Sequence, residues 1–355
     1  MIYCNKTDYF FNGIYWVADH TGHYLRLKIA NELANFYADE FKSILKKINE
    51  NAEDTTACEI LRQKNKKLTE LIKKVQNKST ISNIQSMSTD YLENNDIEWE
   101  CNPYLFVFND RIYNLETCEW SAPNRDDYMN ISCGYNYCEP TKEQIDKLKN
   151  LVDTIFPLED EKTLYMTILA TTLCGIPMEK FIVANGCGGN GKGVINELTA
   201  AMLGNYYYTC SNGILLNPLK TGPNPELANM KDKRMVVYRE PDQSCLINIA
   251  TFKELTGCGD INARLCNSNI TKCTLKAKHI LECNKRLKMN GTIDEAVLRR
   301  LIDILFRSTF TKNPDDFSGD YIFKGDDNVK SKSFQQEHKV AFFHILLDYW
   351  KGYLS

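Results

Sequence analysis

The rhythm of hydrophobic and polar positions changes several times along the chain. Over residues 1–40 aromatics cluster, with Tyr9, Phe10, Phe11, Tyr15 and Trp16 separated by short polar breaks. That pattern predicts strands or a strand leading into a helix. From 41 to 78 apolar residues recur every three or four positions, through Leu45, Ile48, Ile60, Leu61, Leu68, Leu71, Ile72 and Val75, which predicts helix. The lysines between them (Lys64, Lys66, Lys67, Lys73, Lys74) read as a solvated helix face, with a DNA-binding face as the alternative. Between Asn102 and Pro140 the chain turns to short strands, Leu105 to Phe108 and Ile112-Tyr113, around the turn-forming Asn109-Asp110. Helical spacing returns over 141–177, through Ile145, Leu148, Leu151, Ile155 and the apolar run Leu164 to Leu173, and Gly175-Ile176-Pro177 ends it. Strands and helices then alternate to about residue 310. A polar stretch with Asn313-Pro314-Asp315-Asp316 precedes a last helix through Val340, Phe343, Ile345, Leu346 and Trp350. This divides the chain into an N-terminal α+β part (1–140), a helical linker or collar (141–178), an α/β core (179–310) and a helical tail (311–355).

The strongest chemistry lies at the start of the core. Phe181-Ile182-Val183-Ala184 is a short apolar strand, followed at once by Gly186-Cys187-Gly188-Gly189-Asn190-Gly191-Lys192-Gly193, and then by a helix with Val194, Ile195, Leu198 and Met202. Strand, glycine loop and helix in that order are the context of a phosphate-binding loop. The glycines let backbone N–H groups turn inward around phosphates, aided by the helix N-terminus. Lys192 adds a point charge for the β- and γ-phosphates. The usual Ser or Thr after the lysine is here Gly193, so the standard hydroxyl ligand for Mg²⁺ is missing. A glycine-rich turn with a solvated lysine is the bland alternative. The flanking elements favour nucleotide.

Two further strands end in polar residues. Arg234-Met235-Val236-Val237-Tyr238-Arg239-Glu240 ends in a carboxylate suited to magnesium or to the attacking water. Arg239 stands where many such enzymes carry a second acid, so Glu240, helped by Asp242, must do the work. His279-Ile280-Leu281-Glu282-Cys283 ends at Asn284, an amide able to orient that water. Arg299 and Arg300 precede the apolar strand Leu301 to Phe306, placed to stabilise transition-state charge across a subunit interface or simply to pair with surface acids.

Composition narrows the picture only modestly. Across 355 residues, 43% are hydrophobic and 25% charged, ordinary for a globular protein. No apolar run is long enough for a membrane span, and the start lacks the pattern of a secretory signal. The 14 cysteines are scattered without Cys-x-x-Cys spacing, which points to reduced thiols in an intracellular setting. With a net charge of −3, any DNA contact must come from a local basic surface.

The order of motifs resembles one family. Lys253-Glu254-Leu255-Thr256-Gly257-Cys258-Gly259-Asp260-Ile261-Asn262-Ala263-Arg264, between the acidic strand and Asn284, is similar to a motif of superfamily-three helicases. The resemblance is greatest to the poxvirus-type helicase–primases of large DNA viruses and phage or plasmid elements. Leu203-Gly204-Asn205-Tyr206, Pro225-Glu226-Leu227-Ala228 and Glu240-Pro241 fit the same order. So do Asn102 to Phe106, Tyr113 to Thr117 and Arg125 to Met129 upstream, and the likeness spans roughly 95–310. It implies an α/β fold with an AAA+-type P-loop ATPase core on a parallel sheet, preceded by a smaller α+β domain and flanked by helices. It also implies ATP and Mg²⁺ as cofactors, a homo-hexameric ring around single-stranded or forked DNA, and work at viral replication sites in the host cytoplasm or nucleus.

Carried over by position, the nucleotide sits on Gly186 to Val194, with Lys192 the phosphate lysine and Glu240 the catalytic acid and magnesium ligand. Asn284 becomes the sensor, and Arg300, with Arg299 second, the arginine finger. The DNA-contacting hairpin falls near 262–278, where Lys272, Lys276 and Lys278 are available. No primase constellation of paired aspartates and histidine is read in the chain, so primer synthesis is expected of another domain or protein. Two other readings are kept. A nucleotide-dependent scaffold or loader with little turnover would suit Gly193 and Arg239, whereas a nucleotide kinase would need an arginine-rich lid that the sequence lacks.

Overall fold

The computed structural model describes residues 1–50, 54–219, 224–240, 245–263, 271–286, 288–316 and 318–355. They form two compact units, Met1–Trp99 and Glu100–Ser355.

In the first unit, β1 (Ile2–Cys4), β2 (Thr7–Phe11) and β3 (Trp16–Asp19) make an antiparallel meander, with Phe11 opposite Trp16 and Asp8 opposite Asp19. The turn between β2 and β3 is set by Asn12, whose side-chain oxygen accepts the N–H groups of Ile14 and Tyr15, the local bonding that makes Asn a turn former. The chain then runs helically through α1 (His23–Lys28) and one π-turn into α2 (Ala34–Glu50). After Asp54, which caps the next helix by accepting the Ala57 N–H, comes α3 (Thr55–Val75), packed on α2. Cys58, Asn65, Leu68 and Val75 bury one seam of α3, and Lys64, Lys66, Lys67, Lys73 and Lys74 are all exposed, the solvated face expected from their spacing. A fourth helix, α4 (Lys78–Leu92), escapes sequence reading. It is rich in Ser and Thr, which favour caps over helix interiors, and it buries no residue fully.

The second unit opens with an antiparallel meander, β4 (Leu105–Val107), β5 (Ile112–Asn114) and β6 (Glu119–Ser121). Two helices follow: α5 (Lys142–Ile155), started by a capping box between Thr141 and Gln144, and α6 (Glu159–Thr171). Then comes the central alternation: β7 (Phe181–Asn185), α7 (Lys192–Leu203), β8 (Tyr207–Cys210), α8 (Gly213–Leu216), α9 (Pro225–Met230) and β9 (Met235–Arg239). It continues with β10 (Leu246–Asn248), α10 (Ile249–Leu255), β11 (Asp260–Ala263), β12 (Thr271–Thr274), β13 (Lys278–Cys283) and β14 (Lys288–Asn290). Last come α11 (Glu295–Leu298), β15 (Leu301–Leu305), β16 (Thr309–Thr311), β17 (Ile322–Lys324) and α12 (Lys332–Leu354).

Five strands make one parallel sheet in the order β15-β7-β13-β9-β8. Side chains alternate across a strand, so each face collects every second residue. Ile182, Ala184, Met235, Val237 and Ile280 face a core made with the β4–β6 meander, α5, α6, α7 and α12. Phe181, Val183, Val236, Tyr238 and Leu281 face a smaller core with α8 to α10. Burial on both faces is why these strands read as continuous apolar runs. Residues 100–140, grouped by sequence with the N-terminal part, lie in this second unit, because Phe106, Phe108 and Tyr113 belong to its main core. α12 is likewise a core element: it packs on α5, α6 and α7, and Trp350 Nε1 donates to the Leu115 carbonyl at 2.8 Å. Among the described residues no helix is long and apolar enough to cross a membrane.

Candidate nucleotide site

In parallel sheets, ligands collect at the carboxyl ends of strands where the order reverses. Here the reversal falls at β7, whose outgoing connection leads to the far edge while β15 lies on its other side. All five β7 residues are buried, and the glycine loop leaves its carboxyl end. Gly186 has φ +139, and a Cβ there would meet Asn190 Nδ2 and Phe306 O at 2.6 Å, so only glycine fits. Gly191, at φ +88, caps α7, and a Cβ there would lie 2.7 Å from Ile155 of α5. The loop is also braced from outside: Asn190 Nδ2 donates to Phe306 O at 3.3 Å and Phe310 N to Gly189 O at 2.7 Å.

Lys192 begins α7 with its side chain folded into the loop. Its Nζ donates to Gly186 O at 2.6 Å, Asn190 Oδ1 at 3.2 Å and Asn284 Oδ1 at 3.4 Å. Burial holds this ammonium below the usual lysine range, against the pull of Cys283, Glu282 and Glu240. Glu240 follows β9 in a left-handed conformation (φ 41), its N–H donating to Glu282 O at 2.9 Å. Glu240 and Asn284 are exposed at the ends of adjacent strands. Both line a cavity of about 380 Å³ with the loop residues Gly188 to Val194 and with Glu197, Glu282 and Lys330. Positions as far apart in sequence as Gly188 and Lys330 thus meet in one place.

Three cavity groups are absent from the sequence reading. Glu282, within the buried strand β13, accepts a 2.6 Å bond from Asn196 Nδ2, and burial raises its carboxyl above the usual range. Its signal was visible: an acid set between the apolar pair Ile280-Leu281 and Cys283. Glu197, one turn into α7, pairs with Arg239 at 3.4 Å. Lys330 comes from a short turn before α12, and nothing local marks it. A second cavity of about 550 Å³ shares Gly189, Gly191, Val194 and Lys330 with the first, and is walled by Leu151, Ile155, Phe310 and Phe323.

The other expected site residues lie elsewhere. Arg299 and Arg300 precede β15 at the amino end of the sheet, where Phe181 N bonds Arg300 O at 2.7 Å, outside the cavity. Arg300 is 12% exposed at its side chain and Arg299 61%, each 3.8 Å from Glu179. β11 and β12 do form an antiparallel pair, with Asn262 opposite Lys272. Arg264 lies outside the described residues, as do Pro241 and Asp242 near the acidic strand. Lys276 is engaged: its Nζ donates to Glu100 O at 2.9 Å and pairs with Asp232 at 3.4 Å. Lys278 is buried, donates to Cys174 O at 2.8 Å, and is pushed by burial down to about 8, so it does not serve an exposed hairpin. The described residues contain no group of three or more His, Cys, Asp or Glu able to hold a metal.

Known proteins bear on this arrangement. Residues 1–157 match the family model described as D5 N terminal like, which therefore runs past the first unit and through α5. The chain is 27% identical over 301 residues to the uncoating factor OPG117 of monkeypox virus, covering 78% of this chain and 37% of that protein. It is also 27% identical to the primase D5 of fowlpox virus, over 72% of this chain and 34% of that protein. The chain is similar to poxvirus D5 proteins over most of its length. A putative helicase of Acanthamoeba polyphaga mimivirus, 27% identical, aligns over 87% of this chain and 33% of its own length. The chain thus spans about a third of the length of the curated relatives it matches. Among solved structures, the C-terminal region of NrS-1 superimposes with a TM-score of 0.44 and 13% identity, covering 75% of this chain and 59% of that one.

Proposed function

We propose that the second unit is the ATP-hydrolysing motor of a DNA helicase in viral genome replication. The observation that carries this reading is the convergence of Lys192, Glu240 and Asn284 on one cavity at the switch point of a parallel sheet. The strand order and the two covered faces suit an AAA+-type core. The loop and Lys192 hold the phosphates, Glu240 orients or deprotonates the attacking water, and Asn284 fixes its position. The base and ribose lie in the adjoining cavity against Leu151, Ile155, Phe310 and Phe323, where apolar walls meet the loop.

Magnesium suits the cavity through hard oxygen donors, Glu240 foremost. It normally keeps several waters, so the missing hydroxyl at Gly193 is tolerable. Bound there, it would neutralise phosphate charge. The names of the viral relatives, helicase and primase, support DNA as the polymer acted upon. Arg299 and Arg300, remote from their own cavity, suit completion of a neighbour's site in a ring, hexameric by family resemblance. Of the two, Arg299 is the more accessible.

ATPase rate with and without single-stranded DNA, together with strand displacement, on protein sized by light scattering, tests the reading. DNA-stimulated turnover by an oligomer is expected. Nucleotide binding without turnover would favour the scaffold or loader. Phosphate transfer to a small acceptor would favour a kinase.

A further inference from the structure

The sequence of β9 leaves a gap in the nucleotide site: Arg239, a cation, stands before Glu240 where a second acid is common. The fold fills that gap from the neighbouring strand. Glu282 of β13 pairs in register with Arg239 and therefore lies at the same level of the sheet, one strand nearer the loop. Its side chain lines the same cavity as Lys192 and Glu240, and its own carbonyl anchors the Glu240 N–H. We propose that Glu282 supplies the second carboxylate at the magnesium end of this pocket, with Arg239 as its counter-charge. This rests on the ATP reading above.

The surroundings are built to hold a carboxylate rather than to bury one incidentally. Asn196, on the buried side of α7, donates to Glu282 Oε1 at 2.6 Å and is itself held by the Tyr165 hydroxyl at 2.7 Å. That leaves Oε2 toward Arg239, whose Nε is 3.8 Å away and, although buried, makes no hydrogen bond. A counter-ion chosen for stability would form the bidentate fork that Arg and carboxylate prefer. Here the guanidinium is shared instead: NH1 lies 3.4 Å from Glu197 Oε1 and NH2 donates to the Tyr207 hydroxyl at 3.3 Å, with Glu197 held by Gln335 at 2.9 Å. A cation so loosely matched yields when a divalent ion with its waters needs the same carboxylate. The charge balance agrees: Lys192 and Arg239 face Glu240, Glu282 and Glu197, so a magnesium–triphosphate adds its net negative charge against the lysine while its metal meets the acids.

The test is the effect of magnesium on nucleotide affinity, read without turnover. A non-hydrolysable ATP analogue is titrated with excess Mg²⁺ and with excess chelator, for the wild type, Glu282→Gln and Arg239→Gln, with a thermal melt of each. The wild type should bind more tightly with Mg²⁺. Glu282→Gln should cut that ratio at least tenfold, and Arg239→Gln should raise it. If Glu282→Gln does not fold, Glu282→Asp replaces it, and the shortened carboxylate should again lower the ratio. A wild-type ratio retained in the Glu282 variants overturns the inference while leaving the ATP site standing. Failure of the wild type to bind the analogue under either condition would sink the ATP reading itself.

Discussion

Lys192 Nζ lies 3.4 Å from Asn284 Oδ1, across 92 residues of sequence and from the first turn of α7 to the residue that follows β13. The contact ties the lysine proposed to hold phosphate to the amide proposed to sense it. Lys192→Ala should therefore abolish ATP hydrolysis, by about 10³ or more in rate, without moving the melting temperature much. Asn284→Ala should slow turnover while preserving nucleotide affinity. Hydrolysis by Lys192→Ala at near wild-type rate would remove the phosphate-loop assignment.

Space around Gly193 decides the next expectation. A Cβ at that position meets nothing within 4 Å, so Gly193→Ser can be accommodated and restores a hydroxyl. Activity should change modestly and remain strictly dependent on Mg²⁺ in both proteins. Turnover that persists in excess chelator would contradict the metal requirement.

Arginine fingers act on a neighbour's nucleotide and contribute about 10³–10⁵ in rate. Arg299→Ala and Arg300→Ala subunits, each inactive alone, should regain some ATPase when mixed with Lys192→Ala subunits. The accessible Arg299 should give the larger effect. Verified mixed oligomers with no recovery would argue against a shared site.

The two candidate hairpin lysines should part company. Lys276 is committed to Asp232 and the Glu100 carbonyl, so Lys276→Ala should cost about 1–3 kcal/mol of stability, seen in denaturant titration. Lys272→Ala should weaken single-strand binding and flatten its salt dependence by roughly 0.7 in log–log slope. Unchanged salt slope at Lys272 would move the DNA site, with the exposed lysines of α3 the next surface to test.

Glu100 supplies a pH dependence of folding. It is buried, accepts the N–H groups of Asn130 and Ile131 at 2.8 Å, and burial pushes its carboxyl up to about 7 despite Arg234 nearby. The folded state then holds its proton more tightly than the unfolded state. Stability from this group is full below the ordinary carboxylate range and is lost as pH rises toward about 7, by about 3 kcal/mol. Glu100→Gln keeps an acceptor for both N–H groups and should flatten that slope. A melting temperature that still falls between pH 5 and 7.5 in the variant would assign the effect elsewhere.

Sequence reading reached the loop, Glu240 and the asparagine because each follows a short strand with an apolar centre, which a doubly covered parallel strand produces. It missed Glu282 and Lys330 because their roles depend on which strand lies beside which, and on α12 folding back. It took Lys278 for an accessible lysine because a strand residue's face is set by its neighbours, and here that face meets Cys174. The helix α4 was unread because hydroxyl-rich, half-buried helices carry neither strong propensity nor a sharp apolar stripe.

α12 has a consequence for how the molecule is made. Trp350 bonds to Leu115 across 235 residues, and the same helix lies against α5, α6 and α7, the helix that begins at Lys192. A ribosome adding about 5–20 residues per second exposes the β4–β6 meander well before this helix exists. For that interval Phe106 and Phe108 lack the cover that Phe343 supplies in the folded protein. Closure of the second unit's main core is thereby postponed until α12 has been made, and α7 is not fully packed before that helix docks.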